Sequence, residues 1–319
     1  MIAASRSGRF GRALWFALYF GRARGFADKQ SAGSERRMPN VLSDQEVRAF
    51  SEDGFVSPVV AISSDEAADC RQRLEAYEAE TGRSAVETVH IKGHLYFDWA
   101  WRLARHPRLL GAIADLAGPD LFIMASRFWI KDPQDRKFVS WHQDHAYFGL
   151  KPPTIITAWL ALNEVTRHNG CMRAIPGSHR TGTHKHVETY DQNNLLSRGQ
   201  ALVDVDEATA VDIVLAPGEL SIHHGHLFHS SEPNMSDDRR LGFAMMFIPT
   251  HVESTLGRRA ATLVSGEDRY GYWDHDPLPT RDRDPVIWDL MHLADRHYRD
   301  PRPSFPIAAA LSRSPDPCA

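Results

Sequence analysis

The hydrophobic period of the chain changes near residue 120, and this change restricts the possible folds more than any other feature. Before it, the sequences SDQE at Ser43–Glu46 and SSDE at Ser63–Glu66 have the capping-box pattern that begins a helix. A third helical region, Phe97–Leu116, is interrupted near Pro107 and ends at Gly118. The first part of the chain is therefore predicted to be helical.

After residue 120 the chain predicts short strands, separated by turns that carry Pro, Gly, Asn and Asp. The predicted strands are Leu121–Lys131, Val139–Tyr147, Ile155–Leu162, Asp212–Leu215, Leu220–His224 and Leu241–Pro249. Helices followed by many short strands are typical of an α+β fold with one β core. A double-sheet jelly roll, flanked by the N-terminal helices, is the natural closure for such strands.

The two ends of the chain do not contribute to this predicted fold. Residues 1–37 are rich in arginine, and their apolar run at Ala13–Phe20 is too short to span a bilayer. We interpret them as an upstream extension and expect no stable membrane insertion. The rest predicts a single domain over residues 38–300 and a proline-rich tail at 301–319.

The net charge and the cysteines bear on partners and compartment. A formal charge of -4 gives no reason to expect a nucleic acid as partner. Cys70, Cys171 and Cys318 lie far apart and are odd in number, so no disulfide framework is indicated. The reducing cytoplasm is the simplest compartment for such a chain. The sequence gives no oligomeric state.

The stretch WHQDHAYFGL, at Trp141–Leu150, places two histidines and an aspartate next to aromatic residues. On an extended strand, His142 and Asp144 point to one face, and His145 points to the other. A neutral imidazole beside a carboxylate suits a divalent metal ion. The alternative is a polar strand end that faces solvent.

A second histidine-rich stretch, PGELSIHHGHLFHSSEPNMSDDRRLGFAMMFIP at Pro217–Pro249, favours the metal site. Of the 17 histidines in the chain, 10 fall between His142 and His229, which is more than scatter would give. One imidazole from this stretch would complete a 2-His-1-carboxylate triad, which leaves positions on Fe(II) open for a co-substrate and O2. The competing histidines are His223, His224, His226 and His229.

Arg240 stands at the head of the last predicted strand. Alternation places Gly242 and Ala244 on the same face, so the guanidinium would project into a space left by small side chains. This arrangement suits a carboxylate ligand bound through two parallel hydrogen bonds. The alternative is that Arg240 belongs to an exposed, charged turn together with its neighbours.

Four motifs together resemble the phytanoyl-CoA dioxygenase family, which belongs to the Fe(II)/2-oxoglutarate-dependent oxygenases. They are WHQD at Trp141–Asp144, AWLAL at Ala158–Leu162, NGCMRAIPGSH at Asn169–His179, and HSSEPN with DDRR between His229 and Arg240. Their order and spacing are similar to the family's over roughly Val41 to Val252. The resemblance implies a double-stranded β-helix (jelly-roll, cupin-like) core.

The resemblance also implies an activity and a set of site residues. His142, Asp144 and His229 would bind Fe(II), with the spacing to Arg240 favouring His229 among the competing histidines. Arg240, assisted by Ser231, would bind the distal carboxylate of 2-oxoglutarate, and Trp159 would line the same pocket. The implied reaction consumes O2, hydroxylates a small-molecule substrate and releases succinate and CO2. Related halogenases lack the carboxylate of Asp144, so its presence indicates hydroxylation.

Two other functions stay open from the sequence. One is a cupin-like metal enzyme that needs no 2-oxoglutarate, and the other is a non-catalytic metal-binding protein on the same fold. Some further residues are weaker candidates for second roles. His224 is expected close to the metal or in the core, His145 on the strand surface or beside a metal ligand, and His226 as a support of the turn after Gly225. A position at the mouth of the site is open to Lys92, His94, Arg173, His179, His184, His186 and a lid at Thr189–Gln200.

Overall fold

The structure is a computed structural model, and it describes residues 41–299. The predicted extension at 1–37 and the predicted tail at 301–319 lie outside the described residues. No helix within residues 41–299 is long and apolar enough to cross a membrane.

Seven α-helices are found within the described range, and six of them lie before residue 120. They are α1 (Asp44–Asp53), α2 (Ser64–Thr81), α3 (Ala85–Thr88), α4 (Gly93–Tyr96), α5 (Asp98–Ala104), α6 (Pro107–Ala117) and α7 (Pro285–Arg299). Both predicted capping boxes are present, since Ser43 and Ser63 each exchange hydrogen bonds with the glutamate three residues later. The break at Pro107 separates α5 from α6, as the sequence predicts.

Fifteen strands are described. They are β1 (Phe55–Val60), β2 (Leu121–Lys131), β3 (Val139–His142), β4 (Leu150–Lys151), β5 (Ile156–Ala161), β6 (Met172–Ala174), β7 (His186–Glu188), β8 (Gln200–Leu202), β9 (Val211–Ile213), β10 (Glu219–His224), β11 (His229–Ser231), β12 (Arg240–Pro249), β13 (Glu253–Ser254), β14 (Ala260–Ser265) and β15 (Asp274–His275). Short 3-10 helices lie at Asp144–Tyr147, Ser178–Thr181 and Glu207–Thr209.

The strands form two sheets that face each other and two short ribbons. The larger sheet has the order β1-β10-β5-β12-β2-β14-β15, and the smaller sheet has the order β3-β11-β6-β9. Trp159 and Ala244 of the larger sheet share one apolar cluster with Met172 and Ile213 of the smaller sheet. Two facing sheets with helices on one outer face make the predicted α+β jelly roll, which is confirmed.

The two faces of β12 show how the core positions the site. Leu241, Phe243 and Met245 are buried against the helices, whereas Arg240 and Ala244 are buried on the side of the smaller sheet. Because successive side chains of a strand alternate, an apolar outer row fixes the register of the inner row. The inner row therefore holds Arg240 at a defined depth between the sheets.

The predicted strand Val139–Tyr147 is too long. Strand β3 ends at His142, and Asp144 begins a 3-10 helix instead of continuing the pleat. The amide of His145 donates to the carbonyl of Gly225 at 2.9 Å, which ties the turn to the neighbouring connection. The argument that His142 and Asp144 share one face of a strand is therefore wrong, although a turn still brings the two side chains together.

Strands β1 and β14 and helix α7 are absent from the sequence-based prediction. Strand β1 contains Pro58, which normally argues against a strand. The structure places β1 at the edge of the larger sheet, where a missing amide hydrogen is tolerated.

Candidate metal centre

His142 and His229 lie directly opposite each other on neighbouring antiparallel strands. They form a cross-strand pair between β3 and β11, and their ring centroids are 4.0 Å apart. Side chains at opposed positions of an antiparallel pair leave the sheet on the same face. Two residues 87 positions apart in the sequence are thus brought to one point of the inner face.

The carboxylate of Asp144 completes the cluster. Its Oδ1 lies 3.4 Å from Nε2 of His142 and 3.8 Å from Nε2 of His229. The candidate ligand atoms of the three residues all lie within 4.8 Å of one another, and all three residues are buried. Among residues 41–299, no other group of three such side chains meets this spacing.

Backbone carbonyls fix the orientation of both imidazoles. Nδ1 of His142 lies 2.9 Å from the carbonyl of Ser140 and 3.1 Å from that of His229, and Nδ1 of His229 lies 3.0 Å from the carbonyl of Leu227. A carbonyl only accepts, so Nδ1 must carry the proton in each ring. Nε2 of each histidine is left as a lone-pair donor, which is the tautomer a metal ion requires.

The same cluster holds Asp144 in its ionised form. Burial opposes the charge, but the nearby imidazoles of His142, His223 and His229 outweigh it, and the pKa of Asp144 lies well below its usual value. Burial, followed by the neighbouring His142, holds the pKa of His229 well below 6.5. A carboxylate and neutral imidazoles are the protonation states that metal binding needs.

His223 is a further histidine at the cluster that sequence reasoning did not single out. It is 1% exposed, and its Nε2 lies 3.4 Å from Oδ2 of Asp144. The sequence predicts that His224 lies close to the metal or in the core, because it shares a strand face with Leu220 and Ile222, but these two residues face the helices. His223 is on the opposite face, which points inward, and the sheet register pairs it with Thr157 on β5.

Arg240 lies deep between the sheets, beside the cluster. It is 2% exposed, and its Nη1 donates to the carbonyl of Gly170 at 2.8 Å and reaches Oγ of Ser231 at 3.4 Å. Its Cζ lies 5.3 Å from the ring centre of Trp159. Any side chain at position 242 would collide with that ring, since an added Cβ would come 1.8 Å from Cζ2 of Trp159.

The guanidinium of Arg240 has no acidic partner among the described residues. Its Nε is buried without any hydrogen-bond partner, and burial lowers the pKa of Arg240 to about 10. An unpaired charge in such a place is costly unless a ligand compensates it. The structure thus brings Arg240, Ser231 and Trp159 together in one pocket, as the sequence predicts, and this pocket suits an anion.

Lys131 is a second buried basic residue beside Arg240, and the sequence analysis did not identify it. It is fully buried, and its Nζ donates to the carbonyl of Ser231 at 3.1 Å and also to Oγ of Ser231 and the carbonyl of Glu232. Burial, followed by the proximity of Arg240, lowers the pKa of Lys131 to about 6. Its cross-strand pairing with Arg240 is visible only in the sheet register.

Comparisons with known proteins identify the family of the chain. A model of the phytanoyl-CoA dioxygenase family matches residues 38–242. The chain belongs to this family. The matched range includes all three residues of the cluster and Arg240.

Individual relatives of the family are similar over different lengths. A probable alpha-ketoglutarate-dependent hypophosphite dioxygenase of Stutzerimonas stutzeri is 31% identical over 51% of this chain and 58% of its own length. Phytanoyl-CoA dioxygenase 1 of Oryza sativa subsp. japonica is 30% identical over 40% of this chain and 45% of its own. The chain thus spans about half the length of these curated relatives.

A solved structure of the non-heme monooxygenase ThoJ, in its apo form, is similar over a longer range. It is 33% identical to this phytanoyl-CoA dioxygenase family member, with a TM-score of 0.69, and the match covers 80% of this chain and 96% of ThoJ. The similarity supports the jelly-roll fold found here.

Two cavities of this family member meet at the metal cluster. The front cavity has a volume of about 750 Å3 with its open mouth and is lined by residues that include Arg127, Trp129, Phe148 and Met246. The rear cavity has a volume of about 440 Å3, and Arg240 and Ser231 line it. His142 and Asp144 line both cavities, so a metal between them would contact a molecule on either side.

The remaining histidines do not join the cluster. His145, His179, His224 and His226 form a second group, with ring centroids 4.5 Å apart for His145 and His226 and 5.4 Å apart for His179 and His224. His184 and His186 both bind Gln143, the residue between His142 and Asp144. The backbone amide of Gln143 donates to Nε2 of His186, and the backbone amide of His184 donates to Oε1 of Gln143. These loop histidines therefore hold the turn between two of the cluster residues.

Of the other candidates for the mouth of the site, only the expected lid lines the front or the rear cavity. Lys92 and His94 are buried, with Nζ of Lys92 paired to Asp276 at 2.7 Å and Nδ1 of His94 bound to Ser126 at 2.7 Å. Arg173 pairs with Glu207 at 2.7 Å and lines neither cavity. The expected lid does border the front cavity through Leu196, Ser197 and Gln200.

Proposed function

We propose that the protein is an Fe(II)- and 2-oxoglutarate-dependent dioxygenase that hydroxylates a small-molecule substrate. One observation carries the proposal: two imidazoles and one carboxylate converge within 4.8 Å, beside the buried guanidinium of Arg240, which has no acidic partner among the described residues. Such a donor set fits a non-heme Fe(II) ion, and the guanidinium fits a dicarboxylate co-substrate.

In this proposal, Nε2 of His142, Nε2 of His229 and Oδ1 of Asp144 bind the metal ion. Their Nδ1 protons are held by carbonyls, and Oδ2 of Asp144 accepts a hydrogen bond from Thr157, so each ligand is oriented in advance. A bound Fe(II) ion would let O2 oxidise 2-oxoglutarate to succinate and CO2, so that one oxygen atom enters succinate and the other enters the substrate as a hydroxyl group.

The rear cavity receives 2-oxoglutarate in this proposal. Arg240 binds its distal carboxylate, Ser231 donates a hydrogen bond, and Trp159 packs against the guanidinium, while Lys131 adds positive charge from behind Ser231. The opposite, 2-oxo acid end then faces His142 and Asp144, which border the same cavity. The substrate occupies the front cavity, on the other side of the metal ligands.

Hydroxylation follows from Asp144 in this proposal. A carboxylate that fills one metal position leaves no room there for a halide ion, and Thr157 keeps this carboxylate in place. The expected product is therefore an alcohol and contains no halogen, even in a buffer rich in chloride.

Two rival functions are tested by one experiment. A cupin-like metal enzyme without 2-oxoglutarate, and a non-catalytic metal-binding protein, would both lack a use for the unpaired guanidinium of Arg240 in the rear cavity. Anaerobic titration with Fe(II) and 2-oxoglutarate is expected to produce the visible charge-transfer band of the chelate. An absence of this band, with Fe(II) bound, would exclude the proposed function and favour the rivals.

We also propose that residues 38–300 form a single oxygenase domain that works in the reducing cytoplasm. In support of this compartment, Cys70 and Cys171 are both free and buried thiols.

A further inference from the structure

A side chamber opens off the front cavity. It has a volume of about 450 Å3 with its mouth, and it shares the residues Ile91, Ala125, Phe148 and Tyr298 with the front cavity. Two other walls, Met124 and Trp273, are apolar and buried. A substrate that lies against the metal ligands can therefore extend past Phe148 into this chamber.

Arg259 contributes an unpaired cation to the side chamber. It lines the chamber and is half-buried, yet its guanidinium forms no hydrogen bond or ion pair with any described residue. Burial alone lowers the pKa of Arg259, with no charged neighbour acting on it. The adjacent Arg258, in contrast, is exposed and pairs with Asp274 at 2.7 Å.

The other charge of the chamber is already compensated. Nζ of Lys92 donates to Oδ2 of Asp276 at 2.7 Å and to the carbonyl of Ala260 at 2.9 Å, and both charged side chains are almost fully buried. No acidic side chain lines the chamber among residues 41–299. The chamber thus presents apolar walls and one positive charge that lacks a counter-ion.

A half-buried guanidinium loses part of its hydration without gaining a partner, which favours binding of an anion. Arginine suits carboxylates and phosphates in particular, because its planar fork donates two parallel hydrogen bonds. An apolar chamber strengthens such a pair, since the surrounding dielectric constant is low.

We propose that the substrate is an amphiphilic oxyanion, whose carboxylate or phosphate binds Arg259 in the side chamber while its apolar part lies in the front cavity. This inference rests on the proposed function for the reaction, but the binding site itself needs neither iron nor 2-oxoglutarate. Arg259 would then select substrates by charge, at a distance from the carbon that is oxidised.

Binding of matched probes tests the proposal. The probes are 6-phenylhexanoate, 5-phenylpentyl phosphate and the uncharged 6-phenylhexanamide, and calorimetry measures each dissociation constant with the wild-type protein. We expect at least one anionic probe to bind about tenfold more tightly than the amide, or better. The ratio between carboxylate and phosphate identifies which oxyanion the chamber prefers.

Variants at neighbouring positions provide the controls. Arg259→Gln should bind the anions and the amide equally, Arg259→Lys should recover part of the preference, and Arg258→Gln should behave as the wild type. Thermal unfolding should be nearly unchanged in Arg259→Gln, because the guanidinium of Arg259 forms no hydrogen bond or ion pair with a described residue that the substitution would remove.

Three results would overturn the inference: no anionic probe binds the wild type, the wild type has no preference for anions, or the preference survives in Arg259→Gln. The charge-transfer band formed with Fe(II) and 2-oxoglutarate is measured separately on the same variants. Loss of the band in every sample refutes the proposed function but does not affect the evidence for the anion site. An intact band without a preference for anions refutes the anion site but agrees with the proposed function.

Discussion

Thr157 donates a hydrogen bond of 2.6 Å to Oδ2 of Asp144, and this contact leaves Oδ1 facing the two histidines of the cluster. Thr157 is 2% exposed and lies on the larger sheet, whereas His142 and His229 belong to the smaller one. The hydroxyl therefore sets the orientation of a carboxylate across the space between the two sheets.

Thr157→Val should weaken metal binding by about 10–100-fold, the usual effect of removing a group that orients a ligand. Valine has the same shape, so the packing of β5 is kept while Oδ2 of Asp144 loses its donor. Calorimetric titration with Fe(II) or Ni(II) measures the change, and Thr157→Ser should restore most of the affinity. Equal affinities in all three proteins would show that Thr157 has no role in orienting Asp144.

His229→Ala should abolish metal binding and turnover, because only two ligands of the cluster would remain. His226→Ala is the matched control, since His226 precedes the same strand but bonds to Thr183 at 3.1 Å instead of facing Asp144. Metal content by mass spectrometry should be near zero in the first variant and normal in the second. A normal metal content in His229→Ala would show that another histidine is the third ligand. His223 would then be the first candidate, because its Nε2 lies 3.4 Å from Oδ2 of Asp144.

Arg240→Ala should weaken 2-oxoglutarate binding by about 2–5 kcal/mol, the range for truncating one side of a buried charge pair. This loss is at least tenfold in affinity, and binding of Fe(II) should hardly change. Arg239→Ala is the control, because Arg239 pairs with Glu78 and Asp132 outside the rear cavity. The same 2-oxoglutarate affinity in both variants would remove the main reason for placing the co-substrate beside Arg240.

Lys131 should take up a proton when 2-oxoglutarate binds. Its pKa of about 6 leaves it mostly neutral at pH 7.5 in the free protein, and a bound carboxylate favours the charged form and raises this pKa. Calorimetry in buffers of different ionisation enthalpy should show proton uptake, and Lys131→Met should lose it and bind more weakly. Uptake that persists in Lys131→Met, or is absent from the wild type, would contradict this role, and Lys137→Met is the exposed control.

The free energy of unfolding should decrease as the pH falls from about 6.5 towards 4. Burial, followed by the nearby His226 and His179, lowers the pKa of His224 to about 4. Between these values the unfolded chain binds a proton that the folded protein does not, so each such histidine contributes a slope of at most about 1.4 kcal/mol per pH unit.

His224→Asn should flatten this decrease while keeping an acceptor for the amide of His226, which donates to Nδ1 of His224 at 3.1 Å. Urea unfolding of the metal-free protein at pH 7.5 and pH 5 measures the difference. The control is His251→Asn at an exposed position, which should keep the wild-type slope. An identical slope in His224→Asn and the wild type would show that His224 titrates normally.

The sequence by itself determined the fold class, the family and the local signals. The capping boxes at Ser43 and Ser63 and the strands Leu121–Lys131 and Leu220–His224 were predictable, since caps and periodicity depend on residues close in the chain. The motifs around His142, His229 and Arg240 were sufficient to predict the family, which is confirmed. Their roles as ligands stay a prediction.

Only the tertiary structure decided how the site is assembled. The turn after His142, the inward position of His223 and the pairing of Lys131 with Arg240 depend on which strands are neighbours and in what register. Contacts between strands that are distant in the chain leave no local pattern in the sequence. The apolar face of a strand shows that the strand is buried, but it does not show which strand is its neighbour or in what register. The unpaired charge of Arg259 was equally hidden, because burial and the absence of a partner are properties of the folded chain.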